Sequence, residues 1–243
     1  MNNLCIFCGK VVEKPVLKEL EDGRKVVDVK LSIPRKTNGK ETDEFINFSL
    51  WNKSAETLVE TVKKDDAIAV KGKILGRTVD VMGTNINMLY VKPEKVTCLD
   101  NEKVNDDVFQ STIFLIGRLV KNPELITTES GKKVSNFTIA MNRLEKNAEG
   151  VYETDFVQIS AWGNVGETIS DYCRKGDLIG VTGSFCSKTN DYKEVEYDTL
   201  NIRANKVTFL STKKYDEEET KTEEKTTKTK KTKKEKESEI EVA

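Results

Sequence analysis

The chain predicts an all-β protein with short helices: two tandem five-stranded barrels followed by a disordered C-terminal tail. Three observations carry this expectation. The sequence repeats once, each copy alternates apolar and polar residues at strand period, and the composition changes sharply after Leu210. The repeat comes first, because it sets the architecture in which every element is placed.

Residues 4–35 match 112–143 at a constant offset of 108, pairing Gly9 with Gly117, Pro15 with Pro123, Gly23 with Gly131 and Arg35 with Arg143. Three residues then enter the second copy and the offset becomes 111. Phe45 meets Phe156, Trp51 meets Trp162, Lys64 meets Lys175 and Gly72 meets Gly183. Lys95-Val96-Thr97 meets Lys206-Val207-Thr208. Identities in this order with one gap point to two homologous domains, residues 1–100 and 109–212, joined by a polar linker at 101–108. Lys, Glu and Thr dominate 213–243. Such a segment has too little apolar surface to offset its ordering entropy, so the sequence predicts disorder there.

Within each copy, an apolar run (Leu4–Val12; Thr112–Val120) gives the first strand. A Gly turn follows, EDGRK or ESGKK, and then the alternation VVDVKLSI or VSNFTIAM gives the second strand. FINFSLW and FVQISAW supply the third. Next the period changes: Ala55, Leu58, Val59 and Val62 fall at i, i+3, i+4 and i+7, and Val165, Ile169, Tyr172 and Cys173 form a similar stripe. Both stripes argue for a short amphipathic helix. AIAVKGKIL and LIGVTGSF are fourth strands, NMLYVKPEKVTCL and TLNIRANKVTFL fifth strands. The order β-β-β-α-β-β in a domain of this size is that of an OB-fold barrel, whose closure removes exposed strand edges.

Composition excludes much chemistry. There is no histidine among 243 residues, so neither a Ser-His-Asp site nor an imidazole metal site can be built. No active site, metal or cofactor is expected, and the chain reads as a non-enzyme. The longest apolar run, Leu4–Cys8, is far too short to span a bilayer. No charged region, apolar stretch and cleavage site follow one another at the N-terminus, so a cytoplasmic, nucleoid-associated location is expected and no membrane contact. The formal charge of −1 means that any site for an anionic polymer has to arise from local clustering. Cys5-x-x-Cys8 invites a zinc reading, but every one of the five cysteines faces an apolar residue in the other copy. All five are therefore read as small core hydrophobes.

The third strand carries the functional signal. In FINFSLW, Phe45, Asn47, Ser49 and Trp51 share one face, while the apolar Ile46, Phe48 and Leu50 share the other. FVQISAW likewise separates Phe156, Gln158, Ser160 and Trp162 from Val157, Ile159 and Ala161. Large rings on an otherwise polar face need a partner. Either they stack unpaired bases or they cover a barrel end or an interface between barrels. Cations flank these strands: Arg35, Lys36 and Arg143 after the second strand, Lys53 after Trp51, Lys64 and Lys175 before the fourth. Lys73 and Arg77 run along the fourth strand of copy one, and Lys188 lies along that of copy two. Tyr192 is a further ring there.

The stretches GRLVKNPELITTESGKKVSNFTIAMNR (117–143) and DFVQISAWGNVGETISDYCRKGDLIGVTGSF (155–185) resemble bacterial single-stranded DNA-binding proteins. Two barrels in one chain resemble the family's two-barrel variant, which forms a dimer holding four barrels. The resemblance implies largely sequence-independent binding and protection of single-stranded DNA in replication, recombination or repair. It also implies base stacking on Phe45, Trp51, Phe156 and Trp162. Two departures stand out. The loops after the second and fourth strands offer fewer aromatics than the family uses, with only Tyr152, Tyr192 and Tyr197, all in copy two. The tail ends KEKESEIEVA and lacks the acidic Pro-Phe tip that docks replication and repair proteins in the family. The competing readings are a protein–protein adaptor of a replication or plasmid-maintenance complex, which fits the neutral body, and an RNA binder, which shares the stacking physics.

Overall fold

The computed structural model describes residues 3–37, 40–81, 83–147, 149–192 and 195–211, without side chains at 36, 37, 40, 41, 81, 85, 106, 187–192 and 195–198. The tail at 213–243 and the side chains of Lys36, Lys188, Tyr192 and Tyr197 lie outside the described residues.

The first copy runs β1 (Asn3–Val11), β2 (Lys18–Glu19), β3 (Lys25–Thr37), β4 (Lys40–Trp51), α1 (Lys53–Thr61), β5 (Ala67–Val81) and β6 (Thr84–Cys98). The second runs β7 (Ser111–Leu119), β8 (Glu124–Thr127), β9 (Lys133–Lys146), β10 (Tyr152–Trp162), α2 (Asn164–Tyr172), β11 (Leu178–Tyr192) and β12 (Val195–Ser211). Strands β3-β4-β6-β5-β1 form one barrel, closed where Lys10 and Val11 of β1 meet Ser32 and Leu31 of β3. Strands β9-β10-β12-β11-β7 form the other, closed where Arg118 and Leu119 meet Ala140 and Ile139. β4 lies parallel to β6 and β10 to β12, and the other pairings are antiparallel. Each barrel thus has the OB order, with its helix between the third and fourth barrel strands. The short β2 and β8 were not expected. Each extends its sheet by a hairpin onto β3 or β9, and their residues are all exposed, so they leave no apolar alternation to read.

The barrels meet strand to strand. β1 pairs antiparallel with β7 from Asn3↔Leu115 to Phe7↔Ser111, which makes one sheet of twelve strands. Inside, Phe7 touches Phe48 of its own barrel edge-on at 6.1 Å and Phe185 of the other at 5.5 Å. Such pairs add about 0.5–1.5 kcal/mol each beyond their buried area. The apolar core is therefore continuous from one barrel to the next. The segment expected as a polar linker is tied down at both ends. Leu99 and Val104 pack on the core, Phe109 is buried, and the Cys8 amide donates to the Gln110 carbonyl at 2.9 Å.

Two expectations are corrected here. Tyr172 is exposed and not part of the helix stripe. α2 docks through Gly166, which lies so close to the Ala161 carbonyl that the buried face turns toward Gly166, Ile169 and Cys173. Of the cysteines only Cys5 and Cys173 are buried; Cys8 and Cys186 are half-buried and Cys98 is exposed at the end of β6. Burial pushes the Cys5 thiol up to about 12 and the Cys173 thiol to about 11, so both remain protonated hydrophobes.

Gly72 and Gly183 occupy matched bulges, where the register shifts between Lys71 and Gly72 and between Thr182 and Gly183. A Cβ on Gly72 would lie 2.5 Å from the Lys92 carbonyl oxygen, and one on Gly183 would press still harder on that of Arg203. Overpacking against rigid backbone costs about 1–3 kcal/mol. Gly183→Ala is expected to lower Tm by several degrees in a thermal melt and Gly72→Ala by somewhat less; an unchanged Tm for both would mean that the bulges yield.

Candidate nucleic-acid interface

The alternation on the third barrel strand stands in three dimensions. Along β4, Ile46, Phe48 and Leu50 face the core, while Phe45 and Trp51 are 36% and 46% exposed. Along β10, Val157, Ile159 and Ala161 are buried, and Phe156 and Trp162 are 46% and 38% exposed. Over each outer face runs a groove. The first, of about 1170 Å³, is floored by Asn47, Ser49 and Trp51; the second, of about 740 Å³, by Phe156, Gln158, Ser160 and Trp162.

The two grooves are one design repeated. Asp28, Lys30, Asn47, Ser49, Trp51 and Lys92 line the first, and their counterparts at the repeat offsets, Asn136, Thr138, Gln158, Ser160, Trp162 and Arg203, line the second. Even a hydrogen bond recurs: the Ser49 hydroxyl donates to Asp28 Oδ1 at 2.7 Å and the Ser160 hydroxyl to Asn136 Oδ1 at 2.7 Å. The Ser49 bond, with the nearby Lys18 ammonium, holds the Asp28 carboxyl below its ordinary pKa.

Cations sit over the rings. Lys30 Nζ lies 4.7 Å from the Phe45 centroid, Arg24 5.4 Å from Trp51 and Arg203 5.9 Å from Trp162. None of these three was singled out from the sequence. Lys30 is on the outward phase of the same alternation that places Asp28, and Lys92 and Arg203 match at the repeat offset, so both signals were present in the sequence.

The cations expected from the sequence divide into groups. Arg77 and Arg143 both line the first groove, the Arg77 guanidinium 5.5 Å from the Tyr90 ring. Lys53, Lys64 and Lys175 are exposed beyond the grooves' lining, with the Lys175 amide donating to Asn122 Oδ1 at 2.7 Å. Lys73 pairs with Glu94 at 3.2 Å. The matched arginines Arg35 and Arg143 both face carboxylates. Arg35 Nη1 donates to Glu44 at 3.0 Å. Arg143 donates to both Asp155 oxygens, at 3.1 and 3.0 Å from Nε and 2.7 Å from Nη2, and also to Glu153. These bonds to Asp155 raise the Arg143 pKa above its ordinary value.

Arg143 also crosses between barrels. Its Nη2 donates to the Gly76 carbonyl at 3.1 Å, and the Gly76 amide returns a bond to Asp155 Oδ1 at 2.9 Å. Beside it, Asn87 Nδ2 donates to the Phe156 carbonyl at 2.9 Å. The β5–β6 hairpin of the first barrel is thereby fastened over β10 of the second, and Ile86 to Leu89 form one wall of the second groove.

Comparisons with known proteins agree with this geometry. The model of the "Single-strand binding protein family" matches residues 1–93 and again 110–210. Single-stranded DNA-binding protein 1 of Clostridium acetobutylicum is 40% identical over 106 residues, 42% of this chain and 94% of the relative. Single-stranded DNA-binding protein B of Bacillus subtilis is 36% identical over 102 residues, 42% of this chain and 90% of the relative. Both matches span about one barrel's length. The crystal structure of the single-stranded DNA binding protein from Thermus aquaticus superposes with a TM-score of 0.69 at 20% identity, over 88% of this chain and 95% of that one, and so shares its two-barrel fold. With the family pattern found once in each half, on barrels that carry the same groove, this chain belongs to the single-strand binding protein family.

Proposed function

We propose that this protein binds single-stranded DNA with little dependence on sequence and protects it during replication, recombination or repair, without catalysis. The observation that carries the reading is the duplicated groove, with an exposed tryptophan and a cation at equivalent places, Trp51 and Lys92 in the first barrel and Trp162 and Arg203 in the second. Stacking on an aromatic face contributes about 1–3 kcal/mol per base and tolerates any base, while cations follow the phosphates. Here the two elements are prepaired: Arg24, Lys30 and Arg203 already sit at ring faces. A base entering the groove takes the ring face, and the displaced cation meets the flanking phosphate. Membership of the family and the names of its relatives support the same ligand. Two chains associating would bring four barrels to one strand.

Titration of intrinsic tryptophan fluorescence with oligo-dT of graded length tests this. Quenching is expected, with log K falling against log salt by about 0.7 per phosphate neutralised. Indifference to poly-dT at low salt overturns the proposal, and preference for oligo-U over oligo-dT redirects it to RNA.

A further inference from the structure

The grooves match in position but differ in charge. Lys14, Lys30, Arg77 and Lys92 line the first and pair with no carboxylate among the described residues. Lys18 and Arg143 also line it, but Lys18 is bound to Asp28 at 3.1 Å and Arg143 to Asp155 at 2.7 Å. Besides Asp28, Glu13 is the acid on this lining. Among the described residues of the second groove, Arg203 is the one cation and no carboxylate lines it. Its walls are apolar or amide, with Met88 and Leu200 beside Phe156 and Trp162.

The repeat carries the same asymmetry. Arg77 and Lys92 keep basic counterparts in Lys188 and Arg203, but Lys14 and Lys30 give way to Asn122 and Thr138. A little further on, Gly83, Asn85 and Asn87 of the first copy are matched by Glu194, Glu196 and Asp198 of the second. The first copy has therefore kept cations where the second has neutral or acidic residues. A cleft lined by one sign of charge focuses the field and speeds encounter with a polyanion by about 10- to 10³-fold. Each phosphate it neutralises also makes affinity fall with salt, because bound counterions are released. A base stacked on a ring releases none. The first groove is thus built to attract a strand from solution, and the second to keep one already delivered.

Resting on the single-strand reading above, we propose that the two barrels divide the work: the first groove captures the strand by charge, and the second, filled later, holds it by stacking. The order of filling is then set by which barrel carries Lys14, Lys30, Arg77 and Lys92. The chain has two tryptophans, Trp51 on one groove and Trp162 on the other, so each groove has its own reporter.

The test uses the full chain with Trp162→Phe, which leaves Trp51 to report the first groove, or with Trp51→Phe, which leaves Trp162 to report the second. Phenylalanine keeps a ring at each place. The probe is oligo-dT of about eight nucleotides, within the range that one such barrel occupies. In stopped flow at about 20 mM salt, the Trp51 signal is expected to form at least about tenfold faster than the Trp162 signal. At equilibrium, four phosphate contacts give the Trp51 signal a log–log salt slope of about −2.8, and Arg203 alone gives the Trp162 signal about −0.7. With Lys14, Lys30 and Lys92 all changed to Gln, the lead should vanish and the Trp51 slope should flatten to about −0.7. Arg203→Gln should leave the lead in place. Equal rates and slopes for the two reporters, or a Trp51 rate that the triple substitution does not slow, overturn the inference. If the anisotropy of labelled oligo-dT never rises with the wild type, the single-strand reading falls instead.

Discussion

With Phe45, Trp51, Phe156 and Trp162 all replaced by alanine, affinity for oligo-dT falls on the order of 10³-fold or more while the barrels stay folded. Four rings at the lower bound of about 1 kcal/mol per stacked base give about 4 kcal/mol. Tenfold in affinity corresponds to about 1.4 kcal/mol, which sets the figure. The rings stand 36% to 46% exposed, so their removal opens no core cavity. What the fold does lose is the set of cation–ring contacts, each about 0.5–1 kcal/mol at an exposed site. Fluorescence anisotropy with labelled oligo-dT reads the affinity, and far-UV circular dichroism the fold. Full affinity in the quadruple variant would place the strand on another surface.

The second large effect concerns Arg143. Asp155 is 3% exposed and Arg143 26%, so replacing the arginine with methionine leaves a buried carboxylate whose remaining described donor is the Gly76 amide. Removing one partner of a buried pair costs about 3–5 kcal/mol; the partial exposure of Arg143 favours the lower value. For a chain of this size about 3 kcal/mol corresponds to roughly 6–12 °C in Tm. Arg143→Met with Asp155→Leu should recover most of the loss, because no orphaned charge remains. A latch of this kind predicts a large change in Tm with a small one in affinity for a short oligonucleotide. A phosphate contact predicts the reverse, and the two measurements together assign the residue.

These two residue sets show what the sequence makes legible. The rings were readable because four outward positions alternate with three apolar ones on a single strand, and the same phase recurs in the second copy. Period alone places such side chains. The role of Arg143 was not readable, since its partners are brought together by tertiary structure: Asp155 lies in the first half of β10, and Gly76 belongs to the other barrel. Its recurrence opposite Arg35 marked both residues for notice, but the recurrence came from matched ion pairs with Glu44 and Asp155. Lys30 escaped attention for a related reason. Its approach to Phe45 depends on the β3–β4 register, in which Lys30 faces Asn47 and Ser32 faces Phe45, and register is not written in either strand by itself. The exposed β2 and β8 left no trace because a strand that buries nothing has no pattern to show.

The ladder between β1 and β7 has one more consequence. Subunits that meet through separate chains come apart on dilution, because their encounter depends on how many molecules share the volume. Here the meeting partners are consecutive stretches of one polypeptide, so each barrel faces the other at a local concentration fixed by covalent connection. The paired arrangement accordingly persists at any dilution, down to a single copy alone on its strand.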